Sequence, residues 1–224
     1  GLLLDSHQIP VGMKMFPGNE SEKPVLRDVI DLLKSQNNIN GKTIHVADKG
    51  LNCAKNIVHA RKNGDGYLFS KSVKSLPETE KTWVLLDDGF VDVKDKRGKV
   101  LYRYKSCIDE FPYKVEHEGK IYTVKLHEKR LLTYSPSLAA KKRYEINRMI
   151  EKAKALTASQ AKRTEYAEAG KYVCFTDGNG NKASVSMNQD AIDKDLRFAG
   201  YNLLVTSEIE MKDSDIYDVY HNLW

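Results

Sequence analysis

Thr43-Ile44-His45-Val46-Ala47 is a short, β-branched, apolar run that ends on Asp48 and lies between two segments whose apolar residues recur at helical spacing. A buried strand between two helices is the unit of an α/β sheet, so the first 70 residues are confined to that kind of layering. Upstream, Val25, Leu26, Val29, Ile30 and Leu33 share one helix face, which Pro24 is placed to open and the polar run from Asn37 to Gly41 stops. Downstream, Leu51, Ala54, Ile57, Val58 and Arg61 keep the helical period to a stop at Gly64, and Gly66-Tyr67-Leu68-Phe69-Ser70 returns to strand. Ahead of these, residues 1–4 and 11–16 read as a hairpin around the polar turn 5–8, closed off by Pro17-Gly18-Asn19.

From about Lys71 the rhythm changes to short alternating runs: 83–86, 90–93, 100–104, 113–115, 121–126 and 131–134. Turn clusters such as Asp87-Asp88-Gly89 and Glu118-Gly119-Lys120 separate them, the pattern of an antiparallel β unit. A long polar helix follows over 137–169, with a break near Thr157. Strands at 172–175 and 183–187 flank Asp177-Gly178-Asn179-Gly180-Asn181, which reads as a turn because Gly and Asn supply positive φ. Asn188 is placed to cap a short helix to Arg197, 201–206 is a buried strand, and Asp213-Ser214-Asp215 offers capping oxygens to a last helix. The predicted fold class is α/β, or α+β overall. An α/β segment (1–70) is interrupted by a mainly antiparallel β insertion with a long basic helix (71–189), and the α/β rhythm resumes over 190–224.

Charge is segregated along the chain. Residues 94–163 carry 19 Lys and Arg against 8 Asp and Glu, whereas 1–93 balance and 164–224 are acidic. A strongly basic middle points to a polyanion such as nucleic acid; the plain alternative is a lysine-coated helix face. No stretch approaches the roughly 20 apolar residues of a membrane span, and the start lacks the basic and apolar regions of a signal peptide. Cys53, Cys107 and Cys174 are odd in number and form no CxxC pair, which argues against a disulfide framework or zinc knuckle and for a reducing cytoplasm. The glycine start and the apolar finish at Trp224 read as an excerpt from a longer protein.

No GxSxG, HExxH, Walker loop or GxGxxG is present, and the six histidines lack i, i+4 metal spacing. Asp48 is the informative position. An acidic residue at the carboxyl end of a buried strand sits where α/β sheets place their ligands. Its other reading is an N-cap of the following helix.

His45-Val46-Ala47-Asp48-Lys49-Gly50-Leu51-Asn52, then Asn56-Ile57 and Gly66-Tyr67-Leu68-Phe69-Ser70, closely resembles a block of bacterial insertion-sequence transposases with a DDE catalytic domain. Gly1-Leu2-Leu3-Leu4-Asp5 with Ile9-Pro10 and Phe16-Pro17-Gly18-Asn19 resembles a second block of that family. Gly200-Tyr201, Val205-Thr206-Ser207-Glu208 and Tyr220-His221-Asn222-Leu223-Trp224 are similar to a third. The three occur in the family's order across essentially the whole chain.

The resemblance implies a ribonuclease H-like core interrupted by a β-rich insertion. It implies three carboxylates holding two Mg2+ or Mn2+ ions for metal-dependent DNA cleavage and strand transfer at transposon ends. Asp48 matches the second carboxylate, hence a catalytic and metal-ligand role. The first carboxylate is expected on a strand upstream of Gly1, not at Asp5, and the catalytic Glu three residues beyond Trp224, not at Glu208 or Glu210. The fragment by itself is then inactive. Tyr220 matches a Tyr whose signature contacts DNA phosphates, although Leu223 stands where the family has Arg and Ala199 where it usually has Asp. Lys141, Lys142, Arg143, Arg148, Lys152 and Lys154 suit phosphate contacts along the long helix. Trp83, Tyr102, Tyr104 and Tyr113 are candidates for an extruded base, each with strand core as its alternative role.

The implied partners are double-stranded DNA, at transposon ends and target, and a second copy in a homodimer, in a cytoplasmic, nucleoid-associated setting. Competing readings are a non-catalytic DNA-binding remnant of a decayed element and another ribonuclease H-like nuclease. The absent first strand, central in such a sheet, is expected to leave the flanking strands with unpaired edges, and so to bring pairing with another chain or local disorder around the hairpin at Gly1.

Overall fold

The computed structural model describes residues 2–4, 9–13, 15, 22–157, 164–176 and 184–222. Among them are seven helices and ten strands: β1 (Leu2–Leu4), β2 (Pro10–Met13), α1 (Glu22–Gln36), β3 (Ile44–Ala47), α2 (Ala54–Lys62), β4 (Gly66–Lys71), α3 (Glu78–Leu85), β5 (Val91–Lys94), β6 (Val100–His117), β7 (Lys120–Tyr134), α4 (Pro136–Lys154), α5 (Ala167–Gly170), β8 (Val173–Thr176), β9 (Ser184–Met187), α6 (Gln189–Arg197), β10 (Tyr201–Thr206) and α7 (Asp213–His221). Six strands form one sheet in the order β3-β4-β10-β7-β6-β5, while β1-β2 and β8-β9 are separate hairpins. The protein is thus mixed α and β with a mostly antiparallel sheet. The chain divides into two compact units, one of residues 1–72, 106–132 and 203–224, the other of 73–105 and 133–202.

In the first unit β3 runs parallel to β4, with His45 beside Tyr67 and Ala47 beside Phe69. β10 lies antiparallel on the other side of β4, with Leu204 beside Ser70. β3 and β5 are the two ends of this sheet order. Burying Ile57, Ala60, Tyr67, Leu68, Phe69, Leu131, Leu132, Leu203, Leu204 and Ile216 supplies the main driving force of this unit. The amino ends of β3 and β4 are pinned by the fully buried Asp65. Its carboxylate accepts from Lys34 Nζ at 2.8 Å and from the Thr43 N–H at 2.9 Å, and lies 3.1 Å from His45 Nε2. Burial lowers the His45 pKa although the Asp65 charge opposes it. Asp65 therefore leans on Lys34 for its permanent counter-charge.

In the second unit Ser135 caps α4 by accepting the Leu138 N–H, with Pro136 as the first helical residue. Ile146 and Ala153 of α4 pack with Ala169, Tyr172, Val173, Ile192 and Ala199. Asn188 caps α6, its Oδ1 accepting the Ala191 N–H at 3.1 Å, as its sequence position predicts. Gly200 has φ +90°, and a Cβ there would stand 2.5 Å from the Ala139 Cβ and 2.9 Å from its Cα. Gly200→Ala therefore combines a left-handed backbone with a clash against α4. The expected loss, read from urea unfolding, is about 2 kcal/mol or more.

Asp195 of α6 is the polar anchor of that unit. Lys74 and Lys171 pair with it, and the Tyr172 hydroxyl donates to it at 2.7 Å. Burial alone would push its carboxyl up, but these donors outweigh burial and hold it at about 2. A carboxyl whose folded pKa lies below its unfolded value stabilises above the unfolded pKa and loses that contribution as pH falls through the folded one. The midpoint of urea unfolding should therefore drop between pH 4 and pH 2 by an amount worth about 2 kcal/mol. In Asp195→Asn that component of the acid transition should vanish.

Three expectations are corrected. Residues 83–86 form no strand: Trp83, Val84 and Leu85 end helix α3, which follows Pro77 and carries Glu78 and Glu80 in its first turn, where the helix dipole favours anions. The runs at 100–104 and 113–115 belong to the single strand β6, and those at 121–126 and 131–134 to β7. The turn between them is Glu118-Gly119, whose φ values of 50° and 73° suit a two-residue hairpin. Finally, Asp213 does not cap α7, whose N-cap is Lys212 with no side-chain cap; Asp213 pairs with Lys129 Nζ at 2.7 Å instead. The turns at 5–8 and 177–181 and the break at 17–19 lie outside the described residues, whereas the strands β1-β2 and β8-β9 beside them pair antiparallel as expected.

Candidate functional site

Asp48 follows β3 directly and stands exposed at the carboxyl end of the parallel β3-β4 pair. Its Oδ1 accepts the Gly50 N–H at 2.7 Å, a local Asx turn. The N-cap of α2 is Cys53, so the capping role for Asp48 is excluded. Gly50 fits tightly here, since a Cβ on it would stand 3.0 Å from Asp48 Oδ1.

Along β4, side chains alternate between the two faces of the sheet. Tyr67, Phe69 and Lys71 point one way, Leu68 and Ser70 the other. On the Ser70 face lies α7, whose buried residues are Ile216 and Tyr220. The Ser70 hydroxyl is hydrogen-bonded to the Tyr220 phenol. Burial raises the Tyr220 pKa, the Ser70 bond opposes that rise, and the negative charge of Asp48 adds to it. Asp48 and Tyr220 thus share one electrostatic neighbourhood although 172 positions separate them in sequence. Asn52 braces the same corner, its Nδ2 donating to the Ser70 carbonyl at 2.8 Å. Ser70 and Asn52 were visible in sequence as members of the block around Asp48, but the bond of Ser70 to Tyr220 and that of Asn52 to the Ser70 carbonyl were not. Farther along α7, Asp213 accepts from the Ser106 hydroxyl at 2.8 Å as well as pairing with Lys129.

A solvent-facing carboxylate braced by its own turn is suited to a hard cation. Among the described residues, however, no group of three His, Cys, Asp or Glu side chains gathers to hold a metal ion. Asp48 and its described neighbours do not by themselves build a two-metal centre.

The six predicted phosphate contacts all lie on α4, in the second unit. Lys141, Lys142, Arg143, Arg148, Lys152 and Lys154 are all exposed. Lys142 is paired with Glu145 and Lys154 with Glu151, one turn away in each case. Lys141, Arg148 and Lys152 recur at i, i+7 and i+11, which places them in one stripe.

The aromatic candidates are otherwise engaged. Trp83 is half-buried under the Lys105 ammonium, and Tyr113 is buried with its hydroxyl donating to Glu128 at 2.6 Å. Tyr102 and Tyr104 are half-buried against each other. Among the described residues no helix is long and apolar enough to cross a membrane. No protein-family model, no curated protein and no solved structure matches the chain.

Proposed function

We propose that the chain is the interior part of a DNA transposase of the insertion-sequence type. In this reading β3, β4, α1 and α2 belong to a ribonuclease H-like core, Asp48 is one of its three metal-holding carboxylates, and α4 lies along the DNA backbone. The observation that carries the reading is the position of Asp48, exposed at the carboxyl end of a parallel strand pair and free of any helix-capping duty, with its charge felt at Tyr220. The other two carboxylates come from outside the described residues. Magnesium or manganese would supply Lewis-acid activation of the attacking and leaving oxygens. The described chain contributes the Asp48 carboxylate, the Asx turn that orients it, and the Ser70–Tyr220–Asn52 corner that fixes the adjoining helix. The working form is a homodimer on double-stranded DNA.

Duplex binding tests the DNA half of this reading. The logarithm of the affinity should fall linearly with the logarithm of salt concentration. Changing Lys141, Arg148 and Lys152 together to Glu should make that slope shallower by about 2–3, roughly 0.9 per lost phosphate contact. An unchanged slope, or no duplex binding by the parent chain, would sink the assignment of α4.

A further inference from the structure

We propose that Tyr144, set within the basic stripe of α4, stacks on an unpaired DNA base and gives this helix a preference for single strands over duplex. The proposal rests on the reading of α4 as a DNA-binding face. One side of the helix is committed to packing, with Ala139, Ile146 and Ala153 buried. On the opposite side Lys141, Tyr144, Arg148 and Lys152 follow at i, i+3, i+7 and i+11 and span about 16 Å at the helical rise. Tyr144 is 65% exposed, and the Arg148 guanidinium stands 6.0 Å from its ring centroid. Elsewhere in this unit a cation covers the aromatic rings from within: Lys105 lies on Trp83 and Phe90, and Arg103 on Phe90 and Tyr134. Tyr144 instead presents its ring to solvent between cations that face the same way.

That arrangement is what single-strand binding uses. Cations follow the phosphates while an aromatic ring takes the face of a base, and any base has such a face. In duplex DNA the bases are stacked on one another, so the ring has nothing to take and the cations alone contribute. Arg148 can extend the stack as a planar cation.

The test is fluorescence anisotropy of the chain with a single-stranded oligonucleotide and with the duplex of the same sequence. Tyr144→Ala should weaken single-strand binding about five-fold or more and leave duplex binding unchanged. Tyr144→Trp should restore the single-strand affinity. Tyr122→Ala, at the exposed tip of the β6-β7 hairpin, is the control and should change neither. The triple variant Lys141→Glu, Arg148→Glu, Lys152→Glu should weaken both. If the triple variant weakens both but Tyr144→Ala leaves single-strand binding intact, or weakens both forms equally, the stacking role is overturned and the DNA-binding face stands. If the triple variant changes neither affinity, the reading of α4 fails and this proposal with it. All these side chains are exposed, so thermal unfolding should be unaltered and loss of fold is separately visible.

Discussion

Arg130→Met should destabilise the protein by about 3–5 kcal/mol, because it strands a buried carboxylate. Glu128 is fully buried and Arg130 is 3% exposed. Arg130 Nε donates to Glu128 Oε1 at 2.8 Å, and its guanidinium lies 3.3 Å from the centroid of the Phe111 ring. The other oxygen, Oε2, accepts from the Tyr67 hydroxyl at 2.7 Å and from the Tyr113 hydroxyl at 2.6 Å. Burial, and then the Glu128 charge, raises both phenol pKa values, so both remain protonated donors throughout the working range. Methionine keeps the volume and removes the only charge-compensating donor in this set. Glu128 then keeps its two phenol donors but has no counter-charge. Replacing both partners, Glu128→Leu with Arg130→Met, should recover much of the loss, since neither charge then needs compensation. Urea unfolding of the single and double variants distinguishes the outcomes; a loss below about 1 kcal/mol would mean that the pair behaves as a solvated one.

Lys105→Met should cost about 2–4 kcal/mol for a related reason. Lys105 is 5% exposed, and its ammonium closes the carboxyl end of α3. It donates to the carbonyls of Trp83 at 2.7 Å and Leu86 at 2.5 Å, within cation–π range of Trp83 and Phe90 at 5.1 and 4.5 Å from the ring centroids. The last carbonyls of a helix have no partner within it, and the dipole makes that end attractive to a cation. Methionine fills the same space and takes the ammonium donor from those carbonyls, leaving the Trp83 oxygen only its 3.3 Å bond from the Leu86 N–H. The fall in the midpoint of urea unfolding should be reproduced by Lys105→Ala and relieved only in part by Lys105→Arg, whose planar fork cannot converge on one point. If Lys105→Met is as stable as the parent, the ammonium is not what closes α3.

How far these features were legible differs by mechanism. Local patterns read true where one residue or one face decides. The run at 43–47 became β3, Leu33 and Val29 became the buried side of α1, and Asn188 capped α6. Where tertiary context overrides local preference, the reading failed. Trp83-Val84-Leu85 has strand-like composition, yet the Lys105 ammonium at its carboxyl end and Glu78 and Glu80 at its amino end make it the end of a helix. Asp213 has cap-like chemistry, but Lys129 from a distant strand claims it. Polar residues between the apolar runs of β6 and β7 conceal that each is one unbroken strand; in β7 they include Glu128, Lys129 and Arg130, which are buried. Glu128-Lys129-Arg130 carried a faint signal, three charges inside a strand leading to Leu131 and Leu132, but nothing local says that two of them would be paired in the core.

For the candidate site, Asp48 was legible because strand, acid and glycine turn are adjacent in sequence. Tyr220 was legible by resemblance alone. Its tie to Ser70 and its electrostatic link to Asp48 depend on how α7 returns across the sheet, which no local pattern encodes. The roles of the α4 cations were legible only as a sum of charge, because burial and the Glu145 and Glu151 pairs decide which of them form one face.

The central claim is that Asp48 is a carboxylate of a phosphoryl-transfer centre rather than a structural turn residue. The most direct measurement is the joining of a pre-cut transposon end to target DNA with magnesium, using the longest reading frame that contains this sequence, as parent and as Asp48→Asn. Asparagine retains the side-chain oxygen that accepts the Gly50 N–H, so the turn and the thermal unfolding temperature should be preserved. The account predicts that strand joining falls about a thousand-fold or more, several kcal/mol of lost charge stabilisation, with DNA affinity unchanged. An Asp48→Asn variant that joins strands as fast as its parent would contradict it.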